Sequence, residues 1–84
     1  MSRKHARILA ALFRQPILGD IKWRDVEGLL KSLGAEFEER AGSRVAVFLN
    51  GRTAVFHRPH PGPNLDKSAV RDVRRFLASA GAIE

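Results

Sequence analysis

The chain has 84 residues, 44% apolar and 29% charged, the composition of one small globular domain with a thin core, which excludes a second domain. It contains no cysteine, so disulfides, thiolate metal sites and a cysteine nucleophile are excluded. Fifteen Lys and Arg stand against nine Asp and Glu, a net charge of +6 of which +4 falls after Gly42, and a surplus of that sign suits a polyanion or an acidic protein.

From Arg3 to Arg14 the apolar Ile8, Leu9, Leu12 and Phe13 recur at helical spacing, with Arg3, Arg7 and Arg14 on the opposite side and Ser2 suited to cap the start. The segment opens basic and then turns apolar as a signal peptide does. Arg14 interrupts the apolar stretch and no small-residue cleavage site follows, so a cytoplasmic helix is expected. The apolar runs are a few residues long, far short of the roughly 20 that span a bilayer, so no membrane association is expected. Pro16 and Gly19 mark a link, and residues 1–19 are read as an N-terminal helix and connection in front of a domain at 20–84. A second helix is expected from Trp23 to Leu33, because Trp23, Val26, Leu30 and Leu33 form one stripe and Gly34 is placed to stop it. Trp23 on that stripe reads as a core anchor.

Three extended segments follow, at Ala35–Arg40, Arg44–Leu49 and Arg52–Arg58. Asn50-Gly51 between the last two is a strong hairpin signal, since a two-residue type I′ turn needs positive φ at both positions. Such a turn sets the register: Leu49 pairs with Arg52, Val47 with Ala54, Val45 with Phe56, and Arg44 with His57. Val45, Val47, Leu49, Ala54 and Phe56 then share the face that packs under helices, while Arg44 and His57 stand together on the other, beside Ala46 and Val55. The run after Arg58 is too rich in Pro and Gly for a regular element and leads to a last helix over Lys67–Ala80, with Asp66 as N-cap and Gly81 as stop. On that helix Lys67, Arg71, Arg74 and Arg75 occupy a sector opposite Val70, Val73, Phe76 and Leu77, a stripe suited to phosphate or to an acidic protein.

Helix, helix, three antiparallel strands and helix make an α+β two-layer sandwich, and an added helix in front of α-β-β-β-α is also the order of a double-stranded-RNA-binding domain. No P-loop, GxGxxG or HExxH motif occurs, so nucleotide and zincin chemistry have no support, and neither a metal nor a cofactor is called for. Metal-free phosphodiester cleavage needs only a base for the ribose 2′-hydroxyl, an acid for the leaving oxygen and a cation for the developing charge. His57, His60 and Arg44 supply those three types. The plain alternative is that both histidines are loop and strand-edge residues without chemistry.

The stretch from Ile21 to Ile83 resembles the HicA family, small mRNA-interferase toxins of bacterial toxin-antitoxin pairs. The matching features are a helix ending in Leu33-Gly34, Gly42-Ser43 opening the second strand, His60-Pro61 in the loop, and a final helix from near Lys67 to Ser79-Ala80-Gly81. The resemblance implies a dsRBD-like fold, metal-independent RNA cleavage, and silencing by a HicB-like antitoxin in a hetero-oligomer. It also implies a Gly-Ser-His triplet with a catalytic histidine, where this chain has Gly42-Ser43-Arg44. Arginine stays protonated and cannot be a general base, though it grips phosphate well. Either the base role has moved to another residue or the chain binds RNA without cutting it; if it cuts, the expected site is His57 for proton transfer, Arg44 for the scissile phosphate, Ser43 for a supporting hydrogen bond and His60 for the second proton or for positioning the loop. Arg44, Arg58, Lys67, Arg71, Arg74 and Arg75 are the expected RNA contacts. Two other classes compete: a winged-helix DNA-binding regulator, which requires a recognition helix between Leu33 and the hairpin, and a basic module that binds only an acidic protein.

Overall fold

In the computed structural model, residues 1–60 and 62–82 are described; Pro61 of the expected loop motif and the last residues of the expected 20–84 domain, Ile83 and Glu84, lie outside them. The order is α1 (Arg3–Leu12), α2 (Trp23–Ser32), β1 (Glu36–Glu39), β2 (Arg44–Leu49), β3 (Arg52–His57) and α3 (Lys67–Ser79). The strands form one antiparallel sheet in the order β1-β2-β3. This is the expected α+β arrangement of α-β-β-β-α with an additional N-terminal helix. Residues 36–39 are a strand, so the recognition helix that a winged-helix regulator needs is absent and that reading falls.

Local chemistry explains where each element starts and stops. The Ser2 hydroxyl accepts from the His5 amide at 3.1 Å, and the Asp66 carboxylate accepts from the Ala69 amide at 2.8 Å, each satisfying a first-turn N–H that has no partner within its helix. Helix α2 ends as Gly34 takes φ 99°, a conformation that a Cβ would penalise, while Gly34 and Ala35 donate back to the Lys31 and Leu30 carbonyls. The hairpin has the expected turn, with Asn50 at φ 50° and Gly51 at φ 80°, and the expected register down to Arg44 opposite His57.

One face of the sheet carries the core. Val45, Val47, Leu49 and Phe56 are buried in one cluster with Trp23, Val26, Leu29 and Leu30 of α2 and with Val70, Val73, Phe76 and Leu77 of α3. Phe56 sits at its centre, with its ring 5.8 Å from Trp23 and 5.7 Å, edge-on, from Phe76. Each fully buried leucine contributes about 1.5–3 kcal/mol, so this cluster rather than the surface charge holds the fold. On the opposite face Val55 is exposed, yet Ala46 is fully buried. Its methyl lies in the central strand between Glu38 and Val55, which leaves it no path to water.

Helix α1 joins this core through Leu12, which is fully buried, with Ile8 and Leu9 packed against the cluster. Phe13 departs from the expected apolar stripe: it is the C-cap residue, 39% exposed, and lies beneath the Arg74 guanidinium at 5.6 Å from the ring centre. Among the described residues no helix is long and apolar enough to cross a membrane.

Candidate functional site

The end of the hairpin away from its turn is where the expected site residues meet. Gly42 turns the chain between β1 and β2 at φ 71°, and Arg44 follows as the first residue of β2, exposed, with its Nε donating to the Ala41 carbonyl at 3.1 Å. That contact uses one of five guanidinium donors and folds the side chain over the turn. His57 ends β3 directly opposite. The ladder runs on to Ser43, whose carbonyl accepts from the Arg58 amide at 2.9 Å.

His57 and His60 line a common groove of about 460 Å³ that runs between the end of β3 and the start of α3, where Asp66, Ser68 and Asp72 form its far wall. The loop carrying His60 is stitched to the start of α2, with the Leu65 amide donating to the Ile21 carbonyl at 2.8 Å and the Trp23 amide to Pro63 at 3.0 Å. Asn64 Nδ2 adds a bond to the Gly19 carbonyl at 3.0 Å. The α1–α2 link thereby helps position a histidine some forty residues downstream. Trp23, expected as a core anchor, is one, and among the described residues its buried Nε1–H has no acceptor beneath the groove. Both groove carboxylates are occupied, Asp66 by the Ala69 amide and Asp72 by Arg75. Among the described residues no three His, Asp or Glu side chains converge as metal ligands would. Ser43 and Arg44 do not line the groove and adjoin it through His57.

The basic residues divide more sharply than the sequence suggested. Arg58 grips Glu39 with both terminal nitrogens, each at 2.5 Å, and lies 3.8 Å from Glu27. Hydrogen bonding from Arg58 holds the Glu39 carboxyl below the usual carboxylate range, and Glu39 in turn raises Arg58. Arg74 donates through Nε to the Leu12 carbonyl and through Nη2 to that of Arg14 at 2.9 Å, clamping the end of α1 to α3. Arg75 pairs with Asp72 one turn away and faces β3 rather than α1. The four-cation sector of α3 is thus split around the helix. Lys67 and Arg71 are exposed, and among the described residues neither pairs with a carboxylate. The Arg58–Glu39 pair escaped the sequence reading, although extending the strand alternation to β1 puts both residues on the core-facing side.

A family model described as the HicA toxin of bacterial toxin-antitoxin matches residues 23–82, well over half of the chain. The chain belongs to the HicA toxin family. The match begins at Trp23, so it takes in α2, the sheet and α3 and leaves α1 and the link outside the HicA region. Membership makes the protein a toxin of a toxin-antitoxin system and implies an antitoxin partner. No curated protein and no solved structure matches the chain.

Proposed function

We propose that this HicA chain binds and cleaves mRNA in the cytoplasm without a metal, and that a HicB-like antitoxin silences it in a hetero-oligomer. The observation that carries the reading is the placement of His57, which faces Arg44 across the hairpin and shares a groove with His60. In the proposed step His57 takes the proton from a ribose 2′-hydroxyl, and the 2′-oxygen attacks the adjacent phosphorus. The P–O5′ bond breaks and His60 gives its proton to the departing 5′-oxygen, leaving a 2′,3′-cyclic phosphate. Arg44 holds the phosphate oxygens as charge builds on them, and the Ser43 hydroxyl supports the same oxygens. Lys67 and Arg71 carry the outlying RNA backbone. Arg58, Arg74 and Arg75 serve the fold first and act on RNA through the field they add.

The test is growth arrest and RNA cleavage on expression without the partner, comparing wild type with His57→Ala and Arg44→Ala. His57→Ala is expected to lower cleavage by about 10² to 10⁴, the usual contribution of a general acid or base. Undiminished toxicity in His57→Ala removes that residue from the mechanism. A wild type that binds RNA and leaves it intact makes the chain a non-cleaving member of the family, with Arg44 in the histidine's place as the reason.

A further inference from the structure

Strand β3 lies at the edge of the sheet, and the hairpin determines which of its backbone groups face outward. A two-residue turn makes Leu49 and Arg52 the closing hydrogen-bonded pair. Every second residue after Arg52 then points its N–H and C=O toward β2, a phase that the bond from the Arg58 amide to the Ser43 carbonyl corroborates. Thr53, Val55 and His57 are left with both backbone groups turned away from the sheet, and among the described residues no other backbone element pairs with them. The other edge differs. Strand β1 is four residues long and carries Glu36, Glu38 and Glu39, the short charged form by which edges resist pairing. From Thr53 to Phe56 strand β3 has no charge, and Val55 is 50% exposed. A trough follows this edge: one groove between β3 and α3, lined by Thr53, Arg75, Phe76 and Ser79, shares Val55, Phe56 and Asp72 with the His57–His60 groove.

We propose that an extended segment of the antitoxin adds to this edge as a fourth strand beside β3, with an apolar residue opposite Val55 and acidic residues toward both ends. The inference rests on the reading that a protein antitoxin silences the toxin. Three physical arguments choose this occupant. Alternating N–H and C=O groups need donors and acceptors in turn, which a peptide backbone supplies and a phosphate backbone, all acceptors, does not. Cations stand at both ends of the edge, Arg52 at the turn and Arg44, opposite His57, at the other, so acidic side chains there gain and basic ones lose. A second copy of this chain would bring like charges together across a two-fold axis, in a molecule already at +6. A strand so placed crosses His57 and covers the mouth of its groove, so docking and silencing are one event.

The test uses the wild-type toxin co-purified with the antitoxin of its own gene pair, and the free toxin recovered from that complex by unfolding and refolding. Amide exchange is measured residue by residue in both. In free toxin the Thr53, Val55 and His57 amides should exchange fast beside slow Ala54 and Phe56, and in the complex all three should slow by at least about tenfold. Unchanged exchange at those three amides in a silenced complex overturns the proposal. Val55→Pro removes an outward N–H while leaving the ladder to β2 whole, and is expected to weaken antitoxin binding at least about tenfold. Should that variant fail to fold, Val55→Glu sets a carboxylate against the strand's apolar residue and between its acidic ends, and wild-type antitoxin affinity in the folded variant counts against the docking. Protected amides in a toxin that never cleaves RNA would sink the nuclease reading and leave the docking standing.

Discussion

Arg58 and Glu39 close the open end of the core with a two-pronged ion pair, Nη1 to Oε1 and Nη2 to Oε2, that spans from β3 to β1 across the start of β2. Both residues lie on the core-facing side of the sheet, where Glu27 of α2 joins them. Because the pair lowers the Glu39 pKa in the folded state, its stabilisation is present above the ordinary carboxylate range and is lost as pH falls through the folded value. Glu39→Gln should therefore melt below wild type at neutral pH, and the gap should close on acidification. Since Glu39 is exposed, added salt should narrow the gap as well. Thermal melts across a pH series check this, and a gap that persists below the Glu39 pKa would assign the loss to something other than charge.

Arg74 supplies to α1 what α1 lacks. That helix has no basic residue in its last turn, and the Leu12 carbonyl at its end and the Arg14 carbonyl just past its cap are met instead by a guanidinium from α3. Arg74→Ala should cost about 1.5–3 kcal/mol in urea unfolding, the range for hydrogen bonds to a charged group. Arg74→Lys should recover only part, since one ammonium cannot reproduce the fork. Faster amide exchange confined to α1 in Arg74→Ala would show that the clamp acts there, and unchanged α1 exchange would deny it.

What the sequence disclosed and what it withheld differ by range. The Ser2 and Asp66 caps, the Gly34 stop and the Asn50-Gly51 turn act within a few residues, and the turn alone carries the register to Arg44 and His57. Arg58 with Glu39 and Arg74 with Leu12 join positions 19 and 62 residues apart, so they depend on the placement of β1 and on how α1 docks. The same holds at the site. Facing of Arg44 and His57 follows from hairpin geometry, whereas the shared groove of His57 and His60 exists because Leu65 and Pro63 are pinned to the beginning of α2. Charge periodicity on α3 gave a uniform stripe, and only the neighbours on each side divide it into a clamp, an intrahelical pair and two exposed cations.

Asn50 does two things at once, and two substitutions separate them. Its φ of 50° is tolerated better by Asn and Gly than by other residues, and its Nδ2 donates to the Ala80 carbonyl at 2.8 Å, tying the hairpin tip to the end of α3. Asn50→Gly keeps the turn and loses the tie, with an expected cost of about 0.5–1.5 kcal/mol. Asn50→Ala loses the tie and strains the turn, adding about 1–2 kcal/mol. Equal stability of the two variants in denaturant melts would mean that the turn tolerates a Cβ there without strain.

In the proposed reaction Arg44 grips phosphate at the position where the family resemblance implies a histidine. Its guanidinium is exposed in the strand position facing His57, and among the described residues only Nε is engaged, by Ala41. As a phosphate grip it should fail in Arg44→Ala through RNA affinity and cleavage together, and Arg44→Lys should fall between, because an ammonium keeps the charge without the bidentate geometry. Arg44→His restores the Gly-Ser-His triplet and sets a second imidazole opposite the first. A histidine at position 44 adds a third imidazole to the proton chemistry proposed for His57 and His60, so the shape of the cleavage–pH profile should change from that of wild type, while affinity for RNA falls. The measurement is cleavage rate against pH for the four proteins, with RNA affinity taken in parallel. A pH profile that is the same for Arg44→His and wild type would mean that residue 44 takes no part in proton transfer even as histidine, and the proton chemistry would then rest with His57 and His60 alone.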